Sequence, residues 1–301
     1  MIKSVTVIYH VGDRKEFVLT DPYESGIIIT NLEGIGPPKA DINMTDMATI
    51  DGALYNSSRA QTRNIVLYLR LLQKPTVEHS RQLTYKFFPV KHEITLIFKT
   101  DNRTCMATGY VESNEPDIFS KEETVQISVI CDDPWFYKET NNVTVFYGIE
   151  RWFEFIFSNE SLDEKLIVFG EIKMQNEKTI VYDGDEEVGV TMTIHAVGEA
   201  RNVTVYNIDK RETMRIDSNK LEELTGSGIV KPDDIIISTE KGKKSIRLLR
   251  EGKYTNILNC INRDADWFQL SKGNNTFAVV AEEGLLNLQF QVVNRSIFTG
   301  V

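Results

Sequence analysis

Alternation of apolar and polar residues with a period of two runs through most of the chain. In "VQISVIC", Val125, Ile127, Val129 and Cys131 share one face while Gln126 and Ser128 share the other, which predicts a half-buried strand. The same period predicts strands in "KSVTVIY", "GIIIT", "NIVLYLRLL", "EITLIFKT", "MATGYVES" and "TVQISVIC", each bounded by Gly, Asp, Asn or Pro. One segment of this half follows a different period. In "TVEHSRQLTYKFF", Ser80, Leu83 and Phe87 recur at three and four residues, Thr76 can cap the N-terminus and Pro89 closes the far end, which predicts a helix of about three turns.

The second half predicts strands only. "NVTVFYG", "WFEFIFS", "LIVFGEIKM", "TIVYDGDEEVGVTMTIHAVG", "NVTVYNI", "DIIISTEKGKKSIRLL", "FQLSKGNNTFAVVAE" and "LNLQFQVV" follow one another closely, with turn signals at Asp183-Gly184, Lys241-Gly242 and Gly273-Asn274-Asn275. This is the pattern of an antiparallel sandwich. The half shows no helical stripe of useful length and no fixed-period repeat.

Two stretches interrupt the alternation. From Leu32 to Arg63 a polar interval opens with Gly34, Gly36, Pro37 and Pro38, has little sustained periodicity, and exceeds the length of an ordinary loop. Its spaced apolar residues Ile42, Met44, Met47, Ile50 and Leu54 predict an arm that packs on another surface. Near the centre, "CDDPWFY" ends a strand at Asp133-Pro134 and then places Trp135, Phe136 and Tyr137 in a row. Two roles are open to these aromatics: capping the core of one domain, or fastening that domain to a second.

Length supports the second domain, because 301 residues exceed the usual span of one core, about 100–150 residues. The polar "KETNNV" after Tyr137 is the candidate linker, so the expected domains are residues 1–138 and 139–301. The predicted fold class is mainly β, with one helix in the first domain.

Charge narrows the function. With 44 acidic and 34 basic residues the formal net charge is -10, which argues against phosphate-backbone binding and so against a nucleic-acid binder. The most basic run, "KGKKSIRLLR", reads as a hairpin turn flanked by solvated lysines. Cys105, Cys131 and Cys260 have no metal-ligand spacing and read as reduced thiols of a cytoplasmic product. The N-terminus alternates like a strand and lacks a signal peptide's apolar core. No segment approaches the about 20 apolar residues that span a bilayer, so no membrane insertion is expected.

Candidate chemistry is sparse. His92-Glu93 lacks a second histidine four residues on, and "DGDEEVG" from Asp183 to Gly189 has its glycine one place late for a calcium loop. Gly34-Ile-Gly36 and Gly226-Ser-Gly228 lack the strand-to-helix context of a phosphate cradle. His195 lies on the polar strand face of Thr191 and Thr193, and no nucleophile elbow exists. No enzymatic activity, cofactor or metal is expected.

The order of "RNIVLYLRLL", "EHSRQLTYKFFP", "TLIFKTDNRTCMATGYVES" and "EETVQISVICDDPWFY" resembles the N-terminal domain of the distal tail proteins of siphophages and related prophages. "EVGVTMTIHAVGEARNVTVYN", "DIIISTEKGKKSIRLL" and "DWFQL" followed by "GNN" extend the resemblance over essentially the whole chain. It implies a structural protein of the virion tail tip, assembled in the bacterial host cytoplasm. The first domain would be a β-sandwich-type ring domain close to the tail tube, forming a homo-oligomer, most simply a hexamer, and the second a peripheral galectin-like β-sandwich. Implied partners are the tail-tube protein, a tail-associated tip protein, and a receptor-binding protein or cell-surface glycan. Trp135, Phe136 and Tyr137 would bury the passage between domains. An acidic subunit suits a channel for DNA, since a lysine-lined lumen would hold phosphate. The rival reading is a carbohydrate- or receptor-binding module; the hydrophobic strand contexts of Trp152 and Trp267 place both in cores and leave that module without an aromatic platform.

Overall fold

The period-two segments of the first half form strands that bury the face their apolar residues predict. The structure, a computed structural model, describes residues 1–10, 15–47, 51–150, 171–174 and 176–301. It divides into two compact units, Met1–Thr140 with Ile297–Val301, and Asn141–Ser296. The expected division placed the last five residues with the second half.

In the first unit, β1 (Ile2–Tyr9), β2 (Lys15–Val18), the short helix α1 (Pro22–Ser25) and β3 (Ile27–Glu33) precede β4 (Ala40–Asp46) and β5 (Ala53–Ala60). Then follow β6 (Arg63–Leu71), α2 (Val77–Phe87), β7 (Glu93–Thr100), β8 (Thr104–Asp117), β9 (Thr124–Cys131) and β10 (Phe136–Lys138). The sheet runs β2-β1-β7-β8-β9-β6-β3, antiparallel throughout, and β10 pairs with β8. Leu67 lies opposite Ile127 and Leu69 opposite Val125, all deeply buried, so the alternating faces of β6 and β9 form the centre of the core. Each such side chain contributes about 1.5–3 kcal/mol on burial.

Helix α2 begins at Thr76, whose hydroxyl accepts the His79 N–H at 3.1 Å, and buries Ser80, Thr84 and Phe87. Phe87 stacks on Phe17 with ring centroids 4.5 Å apart. Leu83, on the expected stripe, is only partly buried against the same core.

The interval 32–63 contains a hairpin. Strands β4 and β5 pair with each other as a separate two-stranded sheet. Its periodicity is faint because the register jumps from Asn43↔Ser57 to Met44↔Tyr55, leaving Asn56 as a bulge. Neither strand has a core to bury, so burial imposes no alternation on it.

The second unit starts with β11 (Asn142–Val145), β12 (Tyr147–Glu150), β13 (Glu171–Met174), β14 (Glu177–Tyr182), β15 (Val188–Gly189), β16 (Thr191–Ala196), β17 (Arg201–Asn207) and β18 (Glu212–Arg215). After helix α3 (Ser218–Thr225) come β19 (Asp234–Ser238), β20 (Ser245–Arg250), β21 (Lys253–Asn256), β22 (Gln269–Leu270), β23 (Gly273–Glu283) and β24 (Leu288–Asn294). The unit holds a six-stranded sheet, β11-β24-β16-β19-β20-β21, and a four-stranded sheet, β14-β23-β17-β18, both antiparallel throughout. The first buries Met192, Ile194, Ile235, Ile237, Phe290 and Val292; the second buries Val203, Val205, Phe277 and Val279. "WFEFIFS", with Trp152, and most of "LIVFGEIKM" lie outside the described residues.

Helix α3 corrects the strand-only expectation for this half. Asp217 caps it by accepting the N–H groups of Asn219 and Lys220, and Gly226 ends it in the left-handed region at φ 82°. Only Ser218 and Leu221 are buried along its eight residues, too few to write a helical stripe.

The chain then returns to the first unit as β25 (Ile297–Phe298), which pairs with β10 so that Phe298 faces Phe136 and Ile297 faces Tyr137. Both residues of β25 are buried. Deleting residues 297–301 is therefore expected to destabilise the first unit by about 3–6 kcal/mol, the loss of two buried apolar side chains. Denaturant titration would read this as an earlier transition of the first unit with the second unit's transition unmoved.

Candidate functional site: an exposed hairpin and its anchor

The hairpin β4–β5 stands on a loop that only glycine can form. Gly34 has φ +77°, and a Cβ there would lie 1.9 Å from the Asn64 carbonyl oxygen. This close approach lets the chain fold past the start of β6. At the hairpin's base the Gln61 N–H bonds the Lys39 carbonyl at 2.8 Å, and Arg59 Nε reaches Asp41 at 3.1 Å. Hydrogen bonds from Gln61 and then Arg59 hold the Asp41 carboxyl below its ordinary pKa.

The outer part of the hairpin is apolar and uncovered. Ile42, Met44, Met47 and Leu54 are 57, 54, 45 and 57 % exposed. Met44 pairs across the strands with Tyr55, itself 58 % exposed, and that aromatic escaped the sequence reading. Ile50 lies outside the described residues. The structure therefore brings Ile42, Met44, Met47 and Leu54 onto one projecting element. An isolated two-stranded hairpin is marginal in water, and this one exposes the side chains a third layer would bury.

Arg63, the first residue of β6, anchors the root of this element. It is 4 % exposed and has no carboxylate partner among the described residues. Nη1 donates to the carbonyls of Gly34 and Gly36, Nε to Pro134 O at 2.7 Å, and Nη2 to Thr299 O at 2.7 Å. The guanidinium also lies 4.2 Å from the centroid of the Phe136 ring. Burial pulls the Arg63 pKa down from its usual value, while four carbonyl dipoles and an aromatic face replace its water.

The three aromatics of "CDDPWFY" separate at this anchor. Phe136 is fully buried in the first unit's own core, edge-on to Phe98 at 5.7 Å. Trp135 and Tyr137 are half-buried beside it. Asp133 arranges them, accepting the Trp135 N–H at 3.1 Å and the Tyr137 hydroxyl. Phe136 thus packs into the core of its own unit.

The remaining candidates have ordinary partners. His195 Nδ1 meets Asp234 at 2.6 Å on the outer face of the six-stranded sheet. In the acidic turn Glu187 pairs with Lys210 at 2.8 Å and accepts from Ser271 at 2.7 Å, bonds that hold its pKa below the ordinary value; Asp185 lies 3.4 Å from Lys272. His92 Nδ1 sits 3.0 Å from the Val90 carbonyl. Among the described residues no group of three or more His, Cys, Asp or Glu could hold a metal ion, and no helix is long and apolar enough to cross a membrane. Trp267, expected in the core, is instead half-buried at the surface with the Lys244 ammonium 5.3 Å from its ring.

Two measurements test the anchor. Arg63→Met leaves four part-buried carbonyls without their donor and is expected to cost about 3 kcal/mol of the first unit's stability, and Arg63→Lys does not restore it, because an ammonium lacks the planar fork. Equal denaturant midpoints for Arg63→Lys and wild type would overturn this. The second concerns the thiols flanking the anchor: burial pushes Cys105 up to about 11 and Cys131 to about 12 from an ordinary 9.0. The folded state thus holds protons that the unfolded chain releases. This contribution is complete below pH 9.0 and is lost as pH rises towards 11 and 12. Denaturant midpoints should fall across that window, less steeply in a Cys105→Ala/Cys131→Ala variant.

Comparison with solved structures shows that the chain has the fold of the SPP1 Dit (gp 19.1) protein, described as a paradigm of hub adsorption apparatus in Gram-positive infecting phages. The two share a TM-score of 0.64 and 12% sequence identity, and the match covers 98% of this chain and 100% of that one. The phage P2 baseplate in its activated conformation with calcium also aligns, at TM-score 0.49 and 12% identity over 98% of each chain. No family model matches the chain. No curated protein matches it either.

Proposed function

We propose that the chain is a distal tail protein, a structural subunit of a phage tail tip whose copies close into a ring, most simply a hexamer, between the tail tube and the host-adhesion apparatus. The observation that carries this reading is the end-to-end likeness to the SPP1 Dit protein, which spans both units of the chain. The hairpin supplies a physical means of assembly. Its exposed Ile42, Met44, Leu54 and Tyr55 find cover on the next subunit, and a head-to-tail contact of this kind makes a ring when the rotation closes. The first unit then forms the ring against the tail-tube protein and a tail-associated tip protein. The second, a galectin-like sandwich, serves the components that reach the host. The virion tail tip is the site of action, after assembly in the host cytoplasm, and the role requires no catalysis.

Native mass spectrometry of the chain with its tail-tube partner tests the reading directly, with a closed oligomer expected and monomers alone counting against it. Ile42→Asp isolates the hairpin's part. Ile42 is 57 % exposed, so the monomer's melting curve should match wild type while the ring fails to close, because the carboxylate would be desolvated at the contact. An unchanged ring, or a monomer that melts early, would remove the hairpin from the interface.

A further inference from the structure

The outer face of the first unit's sheet carries a half-open groove of about 480 Å³. Its floor and walls include Thr30, Tyr68, Glu115, Pro116, Asp117 and Gln126, drawn from β3, β6, β8 and β9. A bulge at Thr30, where the register of β3 on β6 jumps between Ile29 and Asn31, interrupts the ladder on one side. On the other side Glu115 and Asp117 form the end of β8, opposite Gln126 and Thr124.

The lining itself carries the charges of Glu115 and Asp117, with the exposed Lys121 farther along the adjoining turn. Arg70 spends its charge on Glu122 at 3.2 Å, and Arg81 on Glu123 at 3.1 Å. Glu115 and Asp117 are exposed and enter no ion pair among the described residues. The Tyr68 phenol is raised above its usual pKa by desolvation and then by the Glu33 carboxylate. The two residues after Asp117 are an exposed Ile118 and a 100 % exposed Phe119. That turn is held in shape: the Ser120 hydroxyl lies 3.1 Å from Asp117 O and within reach of Glu122 O, and the two Arg–Glu pairs brace its base.

We propose that this groove and the Phe119 tip form a docking site for a basic, extended segment of a partner protein. Lysine or arginine side chains would meet Glu115 and Asp117, and neighbouring aliphatic groups would lie against Phe119 and Pro116. Charge complementarity identifies the occupant, since two free carboxylates beside an uncovered aromatic suit a cationic side chain that can both pair and stack. The chain's own hairpin does not fit: it carries Asp41 and Asp46, and its Arg59 is already bonded to Asp41. The site is independent of the ring contact proposed above, which uses Ile42, Met44, Leu54 and Tyr55.

Calorimetric titration of the full chain with an amidated Lys-Leu-Lys-Leu-Lys peptide, and with its Glu-Leu-Glu-Leu-Glu counterpart, tests the site. The basic peptide is expected to bind and to weaken with added salt, and the acidic one not to bind. A Glu115→Gln/Asp117→Asn variant should weaken binding roughly tenfold and Phe119→Ser severalfold, whereas Glu251→Gln, an exposed acid of the second unit, should leave it unchanged. Equal weakening by Glu251→Gln would mean attraction to net charge alone and would overturn the site. So would wild-type affinity in the double variant, or self-association of the chain that Asp117→Asn abolishes, which would make a second copy the occupant.

Discussion

A single buried guanidinium ties together parts of the first unit that are distant in sequence. Arg63 bonds the carbonyls of Gly34, Gly36, Pro134 and Thr299, so the hairpin's root, the exit from β9 and the chain's final residues meet at one cation. A buried charge without a counter-ion is costly, and it persists only where dipoles replace its hydration. Here they come from backbone carbonyls that no regular ladder uses.

The hairpin depends on that anchor. Its two strands pair only with each other and expose apolar side chains, so they bring little stability of their own. What keeps the element projecting is the fixed root at Gly34 and Arg63. A fixed root with an uncovered apolar tip suits an element that completes its packing on another molecule, because the contact supplies the burial that two strands alone lack. Proposed ring closure and observed anchoring are in this sense one design, with the stable sheet positioning the surface that assembles.

Burial within each unit explains why most strands could be read in advance. Val125, Ile127, Val129 and Cys131 alternate because one face of β9 meets the core, and all four are buried. The same alternation contained a signal that went unread. Arg63 occupies the inward row of Ile65, Leu67 and Leu69, and a charge in such a row marks either a partner or an anchor. For the hairpin the spaced apolar residues were legible, yet the strands were not, since a bulge and two solvated faces erase the period. Helix α3 wrote only its caps, Asp217 and Gly226.

The sequence by itself determined the β-rich class, the strands that bury a face, and helix α2 with its Thr76 cap. These follow from local spacing, because burial of one face is written every second residue and capping within three. Only the tertiary structure decided that β25 leaves the second half to pair with β10, that Phe136 sits in its own unit's core, and that Arg63 gathers four distant carbonyls. Those choices depend on which unpaired edge or uncovered dipole comes within reach once the chain has folded, and separations of up to 236 residues leave no local pattern to read.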